Sequence, residues 1–173
     1  MPVAKKRLIE KAKKIKLIIL DADGVLTEGK IVYGTSRRIE TELMSFHVHD
    51  GFGIVRAIGL GLPIVIISGR RSRILERRAK ELGIREVYQG SKNKLRAYES
   101  VRKRHGLCDE EIAYMGDDVP DLVLLERVGL SAATGSAVPE VKRSVDYVSR
   151  SDGGRGAVRE FIDLVLRAQK KII

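Results

Sequence analysis

From residue 16 onward the chain keeps changing its hydrophobic period. Short continuous apolar runs, of the kind that form strands buried on both faces, take turns with repeats of helical spacing. The runs fall at 16–20, 64–67, 86–89, 112–115, 130–133 and 146–148. Helical patterns lie near 51–60, 71–82, 92–105, 119–128 and 137–144, with a last one at 157–169 that puts Val158, Phe161, Ile162 and Val165 on one face. A basic helix over 3–14 precedes them all. Such alternation predicts an α/β fold with a central parallel sheet covered by helices on both sides. At 173 residues the chain fits a single domain.

One stretch breaks the rhythm. Residues 30–49 read as two β segments, Ile31-Val32-Tyr33 and 39–48, around Gly34-Thr35-Ser36. In the second, Ile39, Thr41, Leu43, Ser45 and His47 share one period-2 face. This predicts an inserted hairpin, too small for a cap domain, that either lids a nearby site or pairs with another subunit.

The formal charge of +10 raises the question of nucleic acid. Residues 1–16 carry seven cations against Glu10 alone, and the rest shows no basic stripe with interleaved aromatics. A solvated amphipathic helix accounts for that segment. No nucleic-acid or membrane partner is expected. No apolar stretch approaches the length of a bilayer span and no signal-peptide pattern is present. The one cysteine, Cys108, forms neither an internal disulfide nor a zinc cluster. A cytoplasmic location is the expectation.

The chemistry gathers where the apolar runs end, since ligands of open parallel sheets bind outside the carboxyl ends of the strands. After the first run comes Asp21-Ala22-Asp23-Gly24. Two carboxylates placed there repel and lose solvation, so they call for a cation or shared protons, and a hard divalent metal is the simplest remedy. An Asx-turn or helix cap is the plainer account of such a pair. After the second run comes Ser68-Gly69-Arg70, opening a helix as an oxyanion cradle or an ordinary N-cap. After the third comes Gly90-Ser91-Lys92-Asn93-Lys94, whose lysine alone would pass for surface charge. After the fourth comes Gly116-Asp117-Asp118-Val119-Pro120-Asp121. Capping can use one of these three carboxylates and leaves the others unexplained.

In this order the four loops resemble the motifs of the haloacid dehalogenase superfamily of phosphohydrolases, over residues 16–159. Asp21 to Thr27, Phe46-His47-Val48-His49-Asp50-Gly51, Ile67 to Arg70, Tyr88-Gln89-Gly90, Gly116-Asp117-Asp118 and Gly153-Gly154-Arg155-Gly156-Ala157-Val158-Arg159-Glu160 narrow the resemblance. That set is similar to the 3-deoxy-D-manno-octulosonate 8-phosphate (KDO 8-phosphate) phosphatases. The resemblance implies a three-layer Rossmann-like core without a large cap, and a cytoplasmic Mg²⁺-dependent phosphatase of lipopolysaccharide biosynthesis. It also implies a homotetramer built through the hairpin.

Carried over by residue, Asp21 would attack phosphorus and form an aspartyl-phosphate, and Asp23 would protonate the leaving alkoxide and later deprotonate water. Ser68 and the Gly69 N–H would hold the phosphoryl oxygens, and Lys94 would neutralise them. Mg²⁺ would take the Asp21 carboxylate, the Asp23 carbonyl and Asp117, with Asp118 and Asp121 supporting from behind. Residues 150–160 would form a mobile Gly-rich lid bringing Arg155 to an acidic sugar phosphate. Two departures stand out: Ala22 replaces the usual Val or Ile, and His47 and His49 stand where Asn and Arg are usual. His47, His49 and Arg56 are candidate sugar contacts, with hairpin packing the other account of the histidines. The alternatives are a phosphatase for nine-carbon sialic-type 9-phosphates and a non-turnover phospho-acceptor signalling domain.

Overall fold

The structure is a computed structural model that describes residues 3–36 and 39–172. Residues 1–2 of the basic N-terminal segment and 37–38 between the hairpin strands lie outside the described residues. Helix α1 (Val3–Lys14) leads into β1 (Leu17–Leu20), and the hairpin β2 (Val32–Ser36) and β3 (Ile39–Leu43) follows. Then come α2 (Val48–Gly59), β4 (Ile64–Ile67), α3 (Arg73–Glu81), β5 (Glu86–Tyr88) and α4 (Lys94–His105). The chain continues through β6 (Ile112–Gly116), α5 (Leu122–Leu125), β7 (Leu130–Ala133), α6 (Pro139–Ser144), β8 (Tyr147–Val148) and α7 (Ala157–Ala168). Six strands form one parallel sheet in the order β5-β4-β1-β6-β7-β8.

Side-chain alternation in the strands divides the core into two layers. Ile18 and Leu20 of β1 pack with Ile54, Leu75, Phe161 and Ile162 under α1, α2, α3 and α7. Leu17 and Ile19 pack on the other face with Tyr98, Val101, Ile112 and Leu124 under α4, α5 and α6. This three-layer sandwich is what the continuous apolar runs predicted, because both faces of a central parallel strand are buried. In register, Leu20 pairs with Ile66 on one side and Met115 on the other, which aligns the exits of β1, β4 and β6 along one rim.

Two expectations need correction. The second hairpin strand stops at Leu43 rather than running to residue 48, and α2 begins at Val48. His47 is its N-cap, with Nδ1 accepting from the His49 N–H at 3.3 Å. His47 and His49 therefore do not alternate on a strand face with Leu43; they meet edge to face at 4.9 Å in the first turn of a helix. The helix expected at 119–128 is a 3₁₀ turn over Val119–Asp121 followed by the four-residue α5. Asp118 and Asp121 bond back to the backbone there and tighten the turn, and Pro120 sits where its missing N–H goes unused.

A cleft of about 1170 Å³ lies at the opposite end of the sheet from that rim. It is flanked by Lys13, Lys14, Lys16, Lys170 and Lys171 from the ends of α1 and α7. It contains none of the acidic loops.

Candidate active site

The acidic loops do converge. The Asp21 N–H bonds the Met115 carbonyl at 3.0 Å, and the Ser68 N–H bonds Tyr88 at 2.8 Å, so each strand exit is pinned to its neighbour. Carboxylate oxygens of Asp21, Asp117 and Asp121 lie within 4.8 Å of one another. Lys94, the first residue of α4, reaches between them with Nζ 3.0 Å from Asp21 Oδ1 and 2.6 Å from Asp121 Oδ1. It is 8% exposed, so its reading as a surface charge is set aside.

Three carboxylates around one ammonium leave the cluster short of positive charge. Burial, and then repulsion from Asp121, pushes Asp21 up to about 7 despite the pull of Lys94. Burial followed by the charges of Asp21 and Asp121 raises Asp117 to about 7 as well. Burial also opposes the charge on Lys94, but Asp21 and Asp121 outweigh it and hold the ammonium above its ordinary value. A divalent cation with oxygen ligands would supply the missing charge. The residues present fit one.

Asp121 is better described as a brace than as a ligand. Its Oδ1 accepts from Lys94 and the Tyr114 hydroxyl, and its Oδ2 from the N–H groups of Asp117 and Asp118 at 3.0 and 3.2 Å. Four donors occupy its lone pairs, whereas Asp21 and Asp117 keep oxygens free. The phenol of Tyr114, pushed well above its ordinary value by burial and by Asp121, stays protonated and donates. Asp118 is exposed, and its carboxylate caps the 3₁₀ turn at the Val119 N–H, 2.7 Å away.

Ser68 is 1% exposed, and its Oγ accepts from the Arg70 N–H at 3.3 Å. It is not the N-cap of α3; Ser72 is, accepting from the N–H groups of Ile74 and Leu75. The plain capping account of Ser68 therefore falls away. Gly69 beside it faces open space, with no atom within 4 Å of where a side chain would begin.

Asp23 stands half-buried beside this group, in a bidentate pair with Arg70: Nε to Oδ2 at 2.7 Å and Nη2 to Oδ1 at 2.9 Å. Gly24 has φ +77°, and a Cβ there would strike Asp117 Oδ2 at 2.0 Å, so the turn needs glycine for conformation and for space.

The remaining candidates stand further out. Arg56 pairs with Asp163 of α7 and lies over the Phe52 ring. His47 lines a small internal gap with Leu26, Phe46, Asp50 and Arg78. Arg155 is exposed and reaches Glu28 at 3.2 Å. Gly153 and Gly154 of the expected lid are buried against the 24–28 loop, with the Gly154 N–H on the Val25 carbonyl at 2.9 Å. Asp50 ties the same segment to α2 by accepting from the Gly156 and Arg159 N–H groups.

Sequence reasoning gave no role to Arg70, Tyr114, Glu42 or Asp50. The signal for Arg70 was its place directly after Ser68-Gly69. For Tyr114 it was a hydroxyl inside a buried strand, which must find a partner. Glu42 and Asp50 had no local signal, since their partners lie 28 or more residues away.

Comparison with known proteins agrees with this geometry. Residues 78–162 match the family of haloacid dehalogenase-like hydrolases. The chain is 44% identical over 165 residues to 3-deoxy-D-manno-octulosonate 8-phosphate phosphatase KdsC of Escherichia coli K12, covering 95% of this chain and 86% of that protein. It is similar to the crystal structure of the same phosphatase from Yersinia pestis, with TM-score 0.92 and 43% identity over 95% of this chain and 88% of that one. The enzyme from Moraxella catarrhalis, solved with a magnesium ion, a phosphate ion and KDO, is similar at TM-score 0.92 and 38% identity, over 96% and 94% of the two chains.

Proposed function

The chain belongs to the KDO 8-phosphate phosphatase family of haloacid dehalogenase-like hydrolases, and on that premise we propose how its own residues perform the reaction. It is a Mg²⁺-dependent phosphomonoesterase that releases phosphate from KDO 8-phosphate. The observation that carries the assignment of residues is the Asp21 carboxylate at 3.0 Å from the buried Lys94 ammonium, with Asp117 beside it and Asp23 two residues on.

Asp21 attacks phosphorus and forms an aspartyl-phosphate while the P–O bond to the sugar breaks. Asp23 gives its proton to the departing sugar alkoxide. In the second half it takes a proton from the water that attacks the aspartyl-phosphate, which restores Asp21 and frees phosphate. Ser68 Oγ and the Gly69 N–H hold the phosphoryl oxygens, and Lys94 offsets their charge. The Asp21 carboxylate, the Asp23 carbonyl and Asp117 would hold Mg²⁺, which would supply the charge that lets these acids ionise together and would shield the phosphoryl group. Asp121 keeps Lys94 and the 117–118 backbone in place, and Asp118 supports the turn from its rim. His47, His49, Arg56 and Arg155 are the proposed sugar-side contacts. The hairpin, with Ile31, Val32, Tyr33 and Leu43 exposed, would assemble the homotetramer. The proposed cytoplasmic location rests on the family resemblance; no described helix is long and apolar enough to cross a membrane.

Phosphate release from KDO 8-phosphate and from a nine-carbon sialic-type 9-phosphate, with and without Mg²⁺, tests the reading. Asp21→Asn should abolish turnover and keep the fold. Near-normal turnover by Asp21→Asn would refute the mechanism, and a strong preference for the nine-carbon substrate would refute the substrate.

A further inference from the structure

The catalytic acid/base does not stand alone at the rim; a chain of charged groups connects it to the hairpin. The Arg70 guanidinium uses Nε and Nη2 on Asp23, and its remaining arm, Nη1, donates to Glu42 Oε1 of β3 at 2.9 Å. Glu42 Oε2 in turn accepts from the Ser72 hydroxyl at 2.9 Å. Ser72 is the N-cap of α3. One hairpin carboxylate thus engages the start of α3 and the cation that grips Asp23.

We propose that Glu42 is a positioning residue for the phosphatase reaction: it fixes the Arg70 guanidinium, and Arg70 sets where the Asp23 carboxylate stands against the leaving oxygen. The inference rests on the phosphatase reading above. A guanidinium is a rigid planar fork, so anchoring one arm fixes the direction of the other two. Arg70 and Glu42 are 32% and 22% exposed at the side chain, which leaves the pair partly shielded from solvent. Without the anchor, Arg70 keeps its charge and loses its aim. Other carboxylates in the rim then compete for it, and Asp23 is no longer held at one place. Because β2 and β3 form a sheet of their own, the link also makes the chemistry sensitive to how the hairpin sits.

The bland account is an ion pair that merely helps the hairpin lie down. A double-mutant cycle on the full-length protein with saturating Mg²⁺ and KDO 8-phosphate separates the two. Glu42→Gln should lower kcat on the order of 10-fold, since misplacing a reacting group by about 1 Å costs roughly 100-fold. KM, melting temperature and elution volume should stay near wild type. In an Arg70→Gln background, Glu42→Gln should change kcat by less than about twofold, because residues acting through one another are not additive.

An active wild type with Glu42→Gln at the same kcat overturns the inference and leaves the phosphatase reading intact. So do losses that multiply in the double variant, or a Glu42→Gln protein that has lost its fold. A wild type that releases no phosphate overturns both.

Discussion

Replacing Gly153 by alanine is the sharpest test of how the rim is held. A Cβ at Gly153 would lie 1.8 Å from the Gly24 carbonyl oxygen and 2.5 Å from its carbon. Real Cβ contacts do not fall below 3.0 Å, so the two segments must part by more than an ångström. Both neighbours are main chain, and no rotamer change relieves the contact. Overpacking of this kind costs about 1–3 kcal/mol. Loss of the Gly154 N–H bond to Val25 adds about 1 kcal/mol. A total near 3 kcal/mol lowers the melting temperature of a chain this size by roughly 6–12 °C. The loop that moves begins next to Asp23, so kcat should fall as well, by up to about 100-fold for a 1 Å shift. Calorimetry and phosphate release measure both effects. Gly59→Ala is the control: nothing lies within 4 Å of a Cβ there, and helix propensity favours the change by about 0.5–1 kcal/mol. A Gly153→Ala protein with wild-type melting temperature and kcat would refute the close-packing argument.

Asp117→Asn should raise the Mg²⁺ concentration needed for half-maximal activity by at least about 10-fold; an unchanged metal titration would remove Asp117 from the ligand set. Asp21 and Asp117 keep protons up to about 7 in the folded protein, against an ordinary value of 3.8. The native state therefore binds more protons than the unfolded chain between those values, and metal-free stability should rise as pH falls from about 7 toward 4. Mg²⁺ competes for the same oxygens, so its apparent affinity should weaken over that range. Thermal unfolding with and without metal at pH 5.5 and 7.5 reads both trends, and a metal-free melting temperature that falls on acidification to 5.5 would contradict the charge crowding.

Much of this was legible in the sequence because parallel strands bury both faces. β1, β4 and β6 appear as unbroken apolar runs, and each ends at a loop of the candidate site. Asp21, Ser68 and Asp117 could be placed along one rim for that reason; Lys94 follows β5, a half-buried edge strand, and its place came from the motif order instead. The misreadings share another cause. At 44–48 a polar–apolar alternation continued past the true strand end, and the stop signal was a histidine cap together with a carboxylate, Asp50, held by α7 more than a hundred residues later. At Gly153 and Gly154 the sequence suggested a mobile lid, and the structure adds a close approach to the 24–28 loop that no local pattern spells out. Arg70 was quoted within its string and given no task, since its partner Glu42 lies on an element whose docking no local pattern encodes.

The lopsided placement of lysine and arginine has a bearing on how substrate arrives. Ten cations in residues 1–16 and after Asp163, opposed only by Glu10, account for all but one unit of the +10. Since α1 packs on α7, those two stretches share one side of the molecule. The rest of the chain carries a net charge of only +1, so a sugar phosphate with a carboxylate and a phosphate dianion, about three negative charges, gains modest guidance from it at a distance. Its capture depends on short-range neutralisation by Lys94 and the metal. The high isoelectric point is a property of these two terminal stretches, and governs ion-exchange behaviour and colloidal contacts more than turnover.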